Sequence, residues 1–183
     1  MEGFTDVAAD AWYADAVKYV TEKGYFNGTS ATEFSPEMAM TRAMFVTVLG
    51  RRAGVNPSIY SGSEYTDVPD GQWYSAYVKW AALNGIVSGV GDHRFDQDGL
   101  VTREQMTAIL YRYANFCGLD TTADDSRFLS FPDQEQVSDY AKDAMIWATA
   151  RGILNGTEQG LEPQQNATRA QVAQIIINYN MKA

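Results

Sequence analysis

Three arginines in this sequence each directly follow a threonine and lie 36 residues after an aspartate. The pairs are Asp6 and Arg42, Asp67 and Arg103, and Asp133 and Arg169. A threonine ahead of an apolar-periodic stretch is a helix N-cap, which places each arginine at the first helical position. A guanidinium beside the free N–H groups of a helix start binds a carboxylate or a phosphate. The motif therefore predicts three related anion sites.

A structural role for the same residues is the alternative. A cation at a helix start opposes the helix dipole, so a residue placed there three times needs a role that outweighs this cost. Each arginine either binds a ligand, or ties together loop carbonyls or an aspartate that opens the next unit. Each aspartate either caps a turn or accepts hydrogen bonds from ligand hydroxyls. Both interpretations fit the spacing.

Other residue types recur at matching positions of the three units. One aromatic position holds Trp12, Trp73 and Tyr140, a second holds Tyr19, Trp80 and Trp147, and a turn position holds Gly28, Gly89 and Gly156. Aromatic rings stack on sugar faces in binding sites, but rings at helical spacing more often belong to a core. The glycines serve either the turns or the close approach of a ligand to the backbone. Gln105 and Gln171 complete capping boxes with their threonines, whereas Met44 has no side-chain acceptor for the same bond.

No catalytic or metal-binding pattern emerges from the sequence. Cys117 and His93 are the single cysteine and histidine, which excludes a disulfide framework and repeated thiolate or imidazole metal sites. Asp96 opens a D-x-D-G sequence, but Thr107 stands where a calcium loop needs glutamate, so we expect a turn. We predict no enzyme, no cofactor and no metal, with a glycosidase carboxylate pair as the weaker alternative.

The charge of the chain limits its partners. The formal net charge of the 183 residues is −9, which repels nucleic-acid phosphates and anionic lipids. No apolar run approaches the ~20 residues of a membrane span. We therefore expect neither a nucleic-acid partner nor membrane insertion. An anionic ligand requires local cationic sites, and the three Thr-Arg pairs are the candidates.

Each unit is predicted to form two helices. The first ends at a glycine that suits a left-handed C-cap, at Gly24, Gly85 and Gly152. The second carries an i, i+3, i+4, i+7 apolar stripe, formed by Phe45, Val48 and Leu49, by Met106, Ile109, Leu110 and Tyr113, and by Val172, Ile175, Ile176 and Tyr179. The sequence thus predicts an all-α fold with short extended segments before the second helices. The predicted units are 1–54, 65–117 and 128–181, joined by linkers 55–64 and 118–127.

In this order the motifs resemble the S-layer homology (SLH) repeat, with its F-x-D opening, aromatic first helix, turn glycine, F-x-P and T-R-A-(E/Q) signature. The resemblance covers the chain from Phe4 to Tyr179 in three tandem copies. It implies a pseudo-threefold, trimer-like helical bundle with ligand grooves between the units. It also implies non-covalent attachment of an exported protein to the bacterial cell wall. The implied ligand is a secondary cell-wall polysaccharide that bears pyruvylated N-acetylmannosamine.

The resemblance also implies roles for the recurring residues. The arginines clamp the ketal-pyruvate carboxylate, the aspartates accept sugar hydroxyls, and the aromatic side chains at 12, 73 and 140 form groove walls. The three turn glycines and the two glutamines complete the carbohydrate-binding set. Departures from the family pattern at Met44, Glu104, Gln105 and Tyr140 predict unequal grooves. We expect a monomer at the cell surface, with its signal peptide outside this sequence. The alternative is a helical-repeat module for protein–protein interaction or assembly, in which the arginines bridge an interface.

Overall fold

The structure is a computed structural model, and it describes residues 3–182. The first two residues of the predicted unit one therefore lie outside the described residues. Helices within the described range are α1 (Ala14–Glu22), α2 (Arg42–Arg52), α3 (Ser75–Leu83), α4 (Arg103–Phe116), α5 (Ser126–Leu129), α6 (Lys142–Ala150) and α7 (Arg169–Lys182). Short 3₁₀ helices cover Pro57–Ile59, Gln134–Gln136 and Asp139–Ala141. The predicted all-α fold is confirmed.

The predicted helix signals have the expected geometry. Gly24, Gly85 and Gly152 adopt φ values of 71°, 67° and 65°, in the left-handed region that terminates a helix. The capping box forms at Thr102 with Gln105, and again at Thr168 with Gln171. At Thr41 only the Met44 backbone N–H donates to the threonine hydroxyl. Unit one thus lacks the reciprocal bond, as predicted.

The helices pack between units more than within them. The first helix of unit one, α1, packs against α7 of unit three; α3 of unit two packs against α2 of unit one; and α6 of unit three packs against α4 of unit two. Each first helix therefore rests on the second helix of the preceding unit. The last pairing joins the start of the chain to its end, so the three units close into a ring.

A second ring of contacts is formed by the backbone just before the second helices. The Met40 N–H donates to the Ala167 carbonyl, the Ala167 N–H to the Val101 carbonyl, and the Val101 N–H to the Met40 carbonyl, at 2.9–3.0 Å. Isolated antiparallel bridges flank these bonds. These are the short extended segments that the sequence predicts, and they mark a pseudo-threefold axis.

The apolar stripes of α2, α4 and α7 all lie in one buried core. One turn beyond the stripe of α2, Arg52 occupies the position that holds Tyr113 in α4 and Tyr179 in α7. Its guanidinium lies over both tyrosine rings, at 5.4 Å and 4.5 Å from their centroids. The pseudo-threefold axis therefore runs between three equivalent side chains of which one is a cation.

The predicted unit boundaries stay a prediction. Within 55–64 the chain forms the 3₁₀ helix at Pro57–Ile59, and α5 begins at Ser126, inside 118–127.

Candidate functional site

Each motif aspartate holds a loop of its own unit. The backbone N–H groups of Phe34 and Ser35 donate to the two carboxylate oxygens of Asp6, at 2.8 Å and 2.7 Å. The same pair of bonds joins Asp67 to Phe95 and Asp96, and Asp133 to Leu161 and Glu162. The second residue of each loop has a positive φ, of 57° at Ser35, 61° at Asp96 and 50° at Glu162. The carboxylate thus stabilises a backbone conformation that non-glycine residues seldom adopt.

Each motif arginine holds the other side of the same loop, from the preceding unit. The Nε–H of Arg42 donates to the Phe95 carbonyl at 2.8 Å. Equivalent bonds run from Arg103 to Leu161 and from Arg169 to Phe34, both at 2.7 Å. An aspartate of one unit and an arginine of its neighbour therefore meet on one peptide segment without pairing directly. The structural interpretation, in which arginine ties loop carbonyls of the next unit, describes these contacts.

The N–H groups at the starts of the second helices are already bonded to protein carbonyls. The first two N–H groups of α2 donate to Gly99 and Gln97 at 2.9 Å and 3.1 Å, and those of α4 and α7 find carbonyls in the same way. The next N–H donates to the threonine cap in each helix. The anion-site hypothesis is therefore corrected in one respect. These N–H groups take part in the contacts between units, so of the two kinds of donor that the hypothesis combines, only the guanidinium is left for a ligand.

The guanidinium groups keep unused donors. Besides Nε, Arg42 and Arg169 each use Nη2, on the Ser88 and Asn27 carbonyls. Among residues 3–182, Nη1 of both side chains and the two Nη atoms of Arg103 have no protein acceptor. Arg103 is 3% exposed and Arg169 is 6% exposed. These Nη atoms are not among the fully buried polar atoms that lack a partner, so they keep access to solvent and can donate to a ligand oxygen.

The arginines also lack counter-ions. The ion pairs in the described part of the chain join Arg94 to Asp67, Lys142 to Asp139 and Arg151 to Asp120, and none involves a motif arginine. Desolvation by burial lowers the pKa of Arg42 and Arg103, and it lowers the pKa of Arg169 to about 10. Each guanidinium is thus a partly desolvated cation without a direct ion pair among residues 3–182, although the nearby carboxylates of Asp96, Glu162 and Asp6 raise the pKa of Arg42, Arg103 and Arg169 in turn.

Three equivalent grooves open beside these arginines, and we number them by the unit that supplies the turn. Groove one is lined by Gly28, Trp73 and Arg169, groove two by Gly89, Tyr140 and Arg42, and groove three by Gly156, Trp12 and Arg103. Their volumes are about 520, 210 and 340 Å³. Every groove combines a turn of one unit, an arginine of the preceding unit and an aromatic ring of the following unit. The closed ring is what assembles all three.

The two aligned aromatic sets have different surroundings. Trp12, Trp73 and Tyr140 are 62%, 53% and 55% exposed, although they line the grooves. Trp80 and Trp147 are buried, and Tyr19 is half-buried against the core. The core interpretation therefore holds for the second set, whereas the first set presents ring surface to the grooves.

The turn glycines are required by packing. A Cβ at Gly28 would lie 2.6 Å from the ring of Phe4, one at Gly89 would lie 2.8 Å from Tyr65, and one at Gly156 would lie 2.5 Å from Phe131. Those rings open the three units, at the aromatic position of F-x-D. The glycines thus let each turn close over the opening aromatic, and they also line the grooves.

The remaining predicted residues divide between the grooves and the framework. Gln105 lines groove two and Gln171 lines groove three, while Met44 takes the equivalent place in groove one. The three aspartates are absent from the groove linings and lie behind the loops that they hold. Because Gln105 and Gln171 already accept from the threonine N–H, their amide NH₂ groups are what remains for a ligand.

Two features of the site were missed by the sequence reasoning. Nine residues after the motif arginines stand Arg51, Arg112 and Asn178, and each lines a groove. Because these positions lie on the same helices as the motif arginines, counting nine residues along each helix would have identified them from the sequence. The second feature is Glu104, which is buried and accepts hydrogen bonds from Ser138 and from the Tyr140 hydroxyl. No local sequence pattern predicts this contact, because the partners of Glu104 lie 34 and 36 residues away in the chain.

These observations define an all-α module of three interlocked repeats with a cation-lined groove at each junction. A sequence profile described as the S-layer homology domain matches residues 3–44, 64–107 and 130–173. The chain belongs to the S-layer homology domain family. The similarity noted in the sequence is thereby confirmed.

Several curated proteins resemble the chain over almost its whole length. It is 32% identical over 174 residues to an amylopullulanase of Thermoanaerobacterium thermosulfurigenes, covering 94% of this chain and 9% of that protein. It is 30% identical over 174 residues to the exoglucanase XynX of Acetivibrio thermocellus, covering 94% and 16%. It is 28% identical over 173 residues to the S-layer protein sap of Bacillus anthracis, covering 94% and 20%. The chain therefore spans about a tenth to a fifth of these relatives.

Family membership supports a cell-wall anchoring role at the bacterial cell surface. The enzyme names belong to relatives of which this chain matches a small part, so they assign it no activity. Between residues 3 and 182, no helix is both long enough and apolar enough to cross a membrane.

Proposed function

We propose that this chain is a non-catalytic anchoring module that binds a pyruvylated secondary cell-wall polysaccharide in its grooves. The observation that carries the proposal is the set of three partly or fully buried arginines, each lining a groove and none ion-paired to a carboxylate of residues 3–182. Removing a cation from water without pairing it is costly. A ketal-pyruvate carboxylate on a sugar supplies one negative charge at the place where each guanidinium lacks an acceptor.

The other groove residues suit a sugar ring. An exposed indole or phenol face at one wall offers stacking surface to the apolar face of a sugar. The amide NH₂ groups of Gln105 and Gln171 offer donors to hydroxyl or acetyl oxygens. The turn glycines line the grooves with their backbone. Trp12, Trp73 and Tyr140 are therefore proposed as walls, and the glutamines as secondary contacts.

The aspartates are assigned a supporting role within this proposal. Asp6, Asp67 and Asp133 each use both oxygens on loop N–H groups, and these loops receive the arginines of the neighbouring units. A carboxylate oxygen has two lone pairs, so a further bond to a sugar hydroxyl stays a prediction. Their main contribution is to hold the carbonyl that orients each arginine.

Calorimetric titration tests the proposal. The chain is titrated with pyruvylated N-acetylmannosamine and, in parallel, with the same sugar without pyruvate. We expect binding of the pyruvylated sugar alone, and the stoichiometry counts the working grooves. Equal binding of both sugars would contradict the carboxylate clamp, and absence of binding to either sugar and to purified wall polysaccharide would contradict the anchoring function.

A protein–protein interaction module is the second candidate. The motif arginines do bridge units in this structure, which is the contact that this alternative requires. In this structure the arginines bridge units of the same chain, since the ring of three units closes through the contact of α1 with α7. We therefore propose a monomer, and concentration-dependent self-association in analytical ultracentrifugation, without glycan, would favour the alternative.

A further inference from the structure

Groove two carries a second arginine beside its motif arginine, and within residues 3–182 this second arginine makes no hydrogen bond to the protein. Arg42 and Arg112 both line it. Burial lowers the pKa of Arg42, the nearby Asp96 carboxylate raises it, and the positive charge of Arg112 lowers it again by a smaller amount, so the two guanidinium groups act on one another. Neither forms an ion pair with a carboxylate among residues 3–182. Like charges that face one groove repel, and an anion between them relieves the repulsion.

The equivalent positions in the other grooves lack this arrangement. In groove one, Arg51 donates through Nη1 to the Tyr25 carbonyl, so part of its guanidinium is turned to the protein. In groove three the position is Asn178, a neutral amide that donates to the Ile153 carbonyl. The second cation therefore remains fully available only in groove two, within the described chain.

The aromatic wall of groove two is also fixed in a distinct way. The Tyr140 hydroxyl donates to Glu104 Oε1 at 3.0 Å, and Ser138 donates to both Glu104 oxygens through its N–H and hydroxyl. Glu104 is buried. Desolvation together with this hydrogen bond raises the pKa of Tyr140 to about 12, so the phenol keeps its proton at physiological pH. The ring is thus held as a wall, and its hydroxyl is occupied.

We infer that groove two recognises a glycan segment with two negative charges, in which Arg42 takes the carboxylate and Arg112 takes a second anionic group. This inference rests on the proposed function and makes it specific. Arg112 is then a specificity-determining residue that the repeat motif does not contain. Groove three takes singly charged segments, because Arg103 is the one guanidinium in its lining, and groove one favours a second charge less than groove two does, because the Tyr25 carbonyl accepts from Arg51.

The test isolates groove two. Trp12→Ala and Trp73→Ala remove the exposed walls of grooves three and one, and the double variant serves as the background. The probes are pyruvylated N-acetylmannosamine and the same sugar carrying an added phosphate group. We expect the phosphorylated probe to bind this background about fivefold more tightly, as an additional partly exposed ionic contact provides. Arg112→Gln should abolish that preference while leaving the binding of the singly charged probe within about twofold.

Arg51→Gln in the same background is the matched control, since it removes one positive charge from a different groove. It should leave the preference for the phosphorylated probe unchanged. An equal loss with Arg51→Gln would mean that net charge alone attracts the probe, and would overturn the inference. Equal affinity of the background for both probes would overturn it as well, while leaving the proposed function in place. Failure of the unmodified chain to bind either probe would overturn the inference, and failure to bind purified wall polysaccharide as well would overturn the proposed function.

Discussion

At the scale of single residues, one arginine side chain serves both the framework and the groove. Arg169 donates from Nε and Nη2 to the Phe34 and Asn27 carbonyls, each at 2.7 Å, and its remaining donors have no acceptor within the described chain. Lysine cannot reproduce both contacts. An ammonium lacks the planar guanidinium geometry that lets arginine donate to two carbonyls and still direct a further N–H group toward a ligand. The structural and ligand-binding interpretations of the motif are therefore compatible in this residue.

We predict that Arg169→Ala and Trp73→Ala, both in groove one, separate these two tasks. Arg169→Ala removes two charge-assisted hydrogen bonds, so the free energy of unfolding should fall by about 1–3 kcal/mol and groove one should stop binding. Trp73→Ala changes an exposed ring, so stability should stay within about 0.5 kcal/mol while groove one weakens. Urea unfolding and glycan titration of both variants provide the measurements. Unchanged stability of Arg169→Ala would show that the inter-unit bonds contribute nothing.

The motif aspartates give the fold a defined acid sensitivity. Burial raises the pKa of Asp6 and Asp67, but their bonds from loop N–H groups outweigh it and lower both pKa values below the ordinary 3.8. A carboxylate whose pKa is lower in the folded state stabilises the fold above its unfolded pKa. That contribution is lost as the pH falls from 3.8 through the lower folded value.

We therefore predict that the free energy of unfolding falls as the pH drops below about 4, and that Asp6→Asn and Asp67→Asn flatten the decline. Each asparagine places an NH₂ group against a backbone N–H, so both variants should also lose about 1–3 kcal/mol at neutral pH. Denaturant unfolding between pH 6 and pH 3 measures both effects. Asp10→Asn, at an exposed position, is the control and should behave as the unmodified chain does. If the free energy of unfolding of Asp6→Asn and Asp67→Asn depended on pH as that of the wild type does, the acid sensitivity could not be assigned to these aspartates.

At the scale of secondary-structure elements, the three second helices allow one capping bond to be compared in matched settings. Thr102 and Thr168 have the reciprocal glutamine bond, and Thr41 lacks it because Met44 stands at the third position. We predict that Gln105→Met lowers stability by about 0.5–1 kcal/mol and that Met44→Gln raises it by less, because some apolar burial is lost. Thermal unfolding of the two variants measures the difference. A gain of stability in Gln105→Met would show that packing of residue 105 outweighs its cap.

The helices themselves could be predicted from the sequence, but which helix packs against which could not. The threonine caps, the terminal glycines and the apolar stripes locate α1 to α4, α6 and α7, because each depends on residues close in the chain. Whether α1 packs on α2 or on α7 depends on long-range closure, and the same stripe serves either arrangement. The site divides in the same way. The motif arginines were found by spacing, whereas the bond from Tyr140 to Glu104 arises only when units two and three meet.

At the scale of the whole molecule, the repeats form one cooperative body. The core residues of all three units belong to a single buried cluster, and every first helix rests on a neighbouring unit. The backbone ring through Met40, Val101 and Ala167 requires all three units at once. In an open solenoid each repeat contacts only its neighbours and end repeats can be lost singly. A closed ring has no end repeat.

We predict that the chain unfolds in a single transition and that a chain ending at residue 129 does not fold. Without unit three, α1 loses α7 as its partner, α4 loses α6, and the loop at Phe34 loses Arg169. The remaining units would expose two apolar helix faces, and a domain has only about 5–15 kcal/mol of net stability to lose. Circular dichroism and tryptophan fluorescence, followed together in urea, should give coincident transitions for the full chain and no cooperative transition for the truncated chain.

Adding residues 130–183 as a separate peptide should restore the transition, because the ring contacts need no peptide bond between units two and three. A stable two-unit fragment, or separate transitions for the two probes, would show that the units fold independently and that the grooves need not all form together.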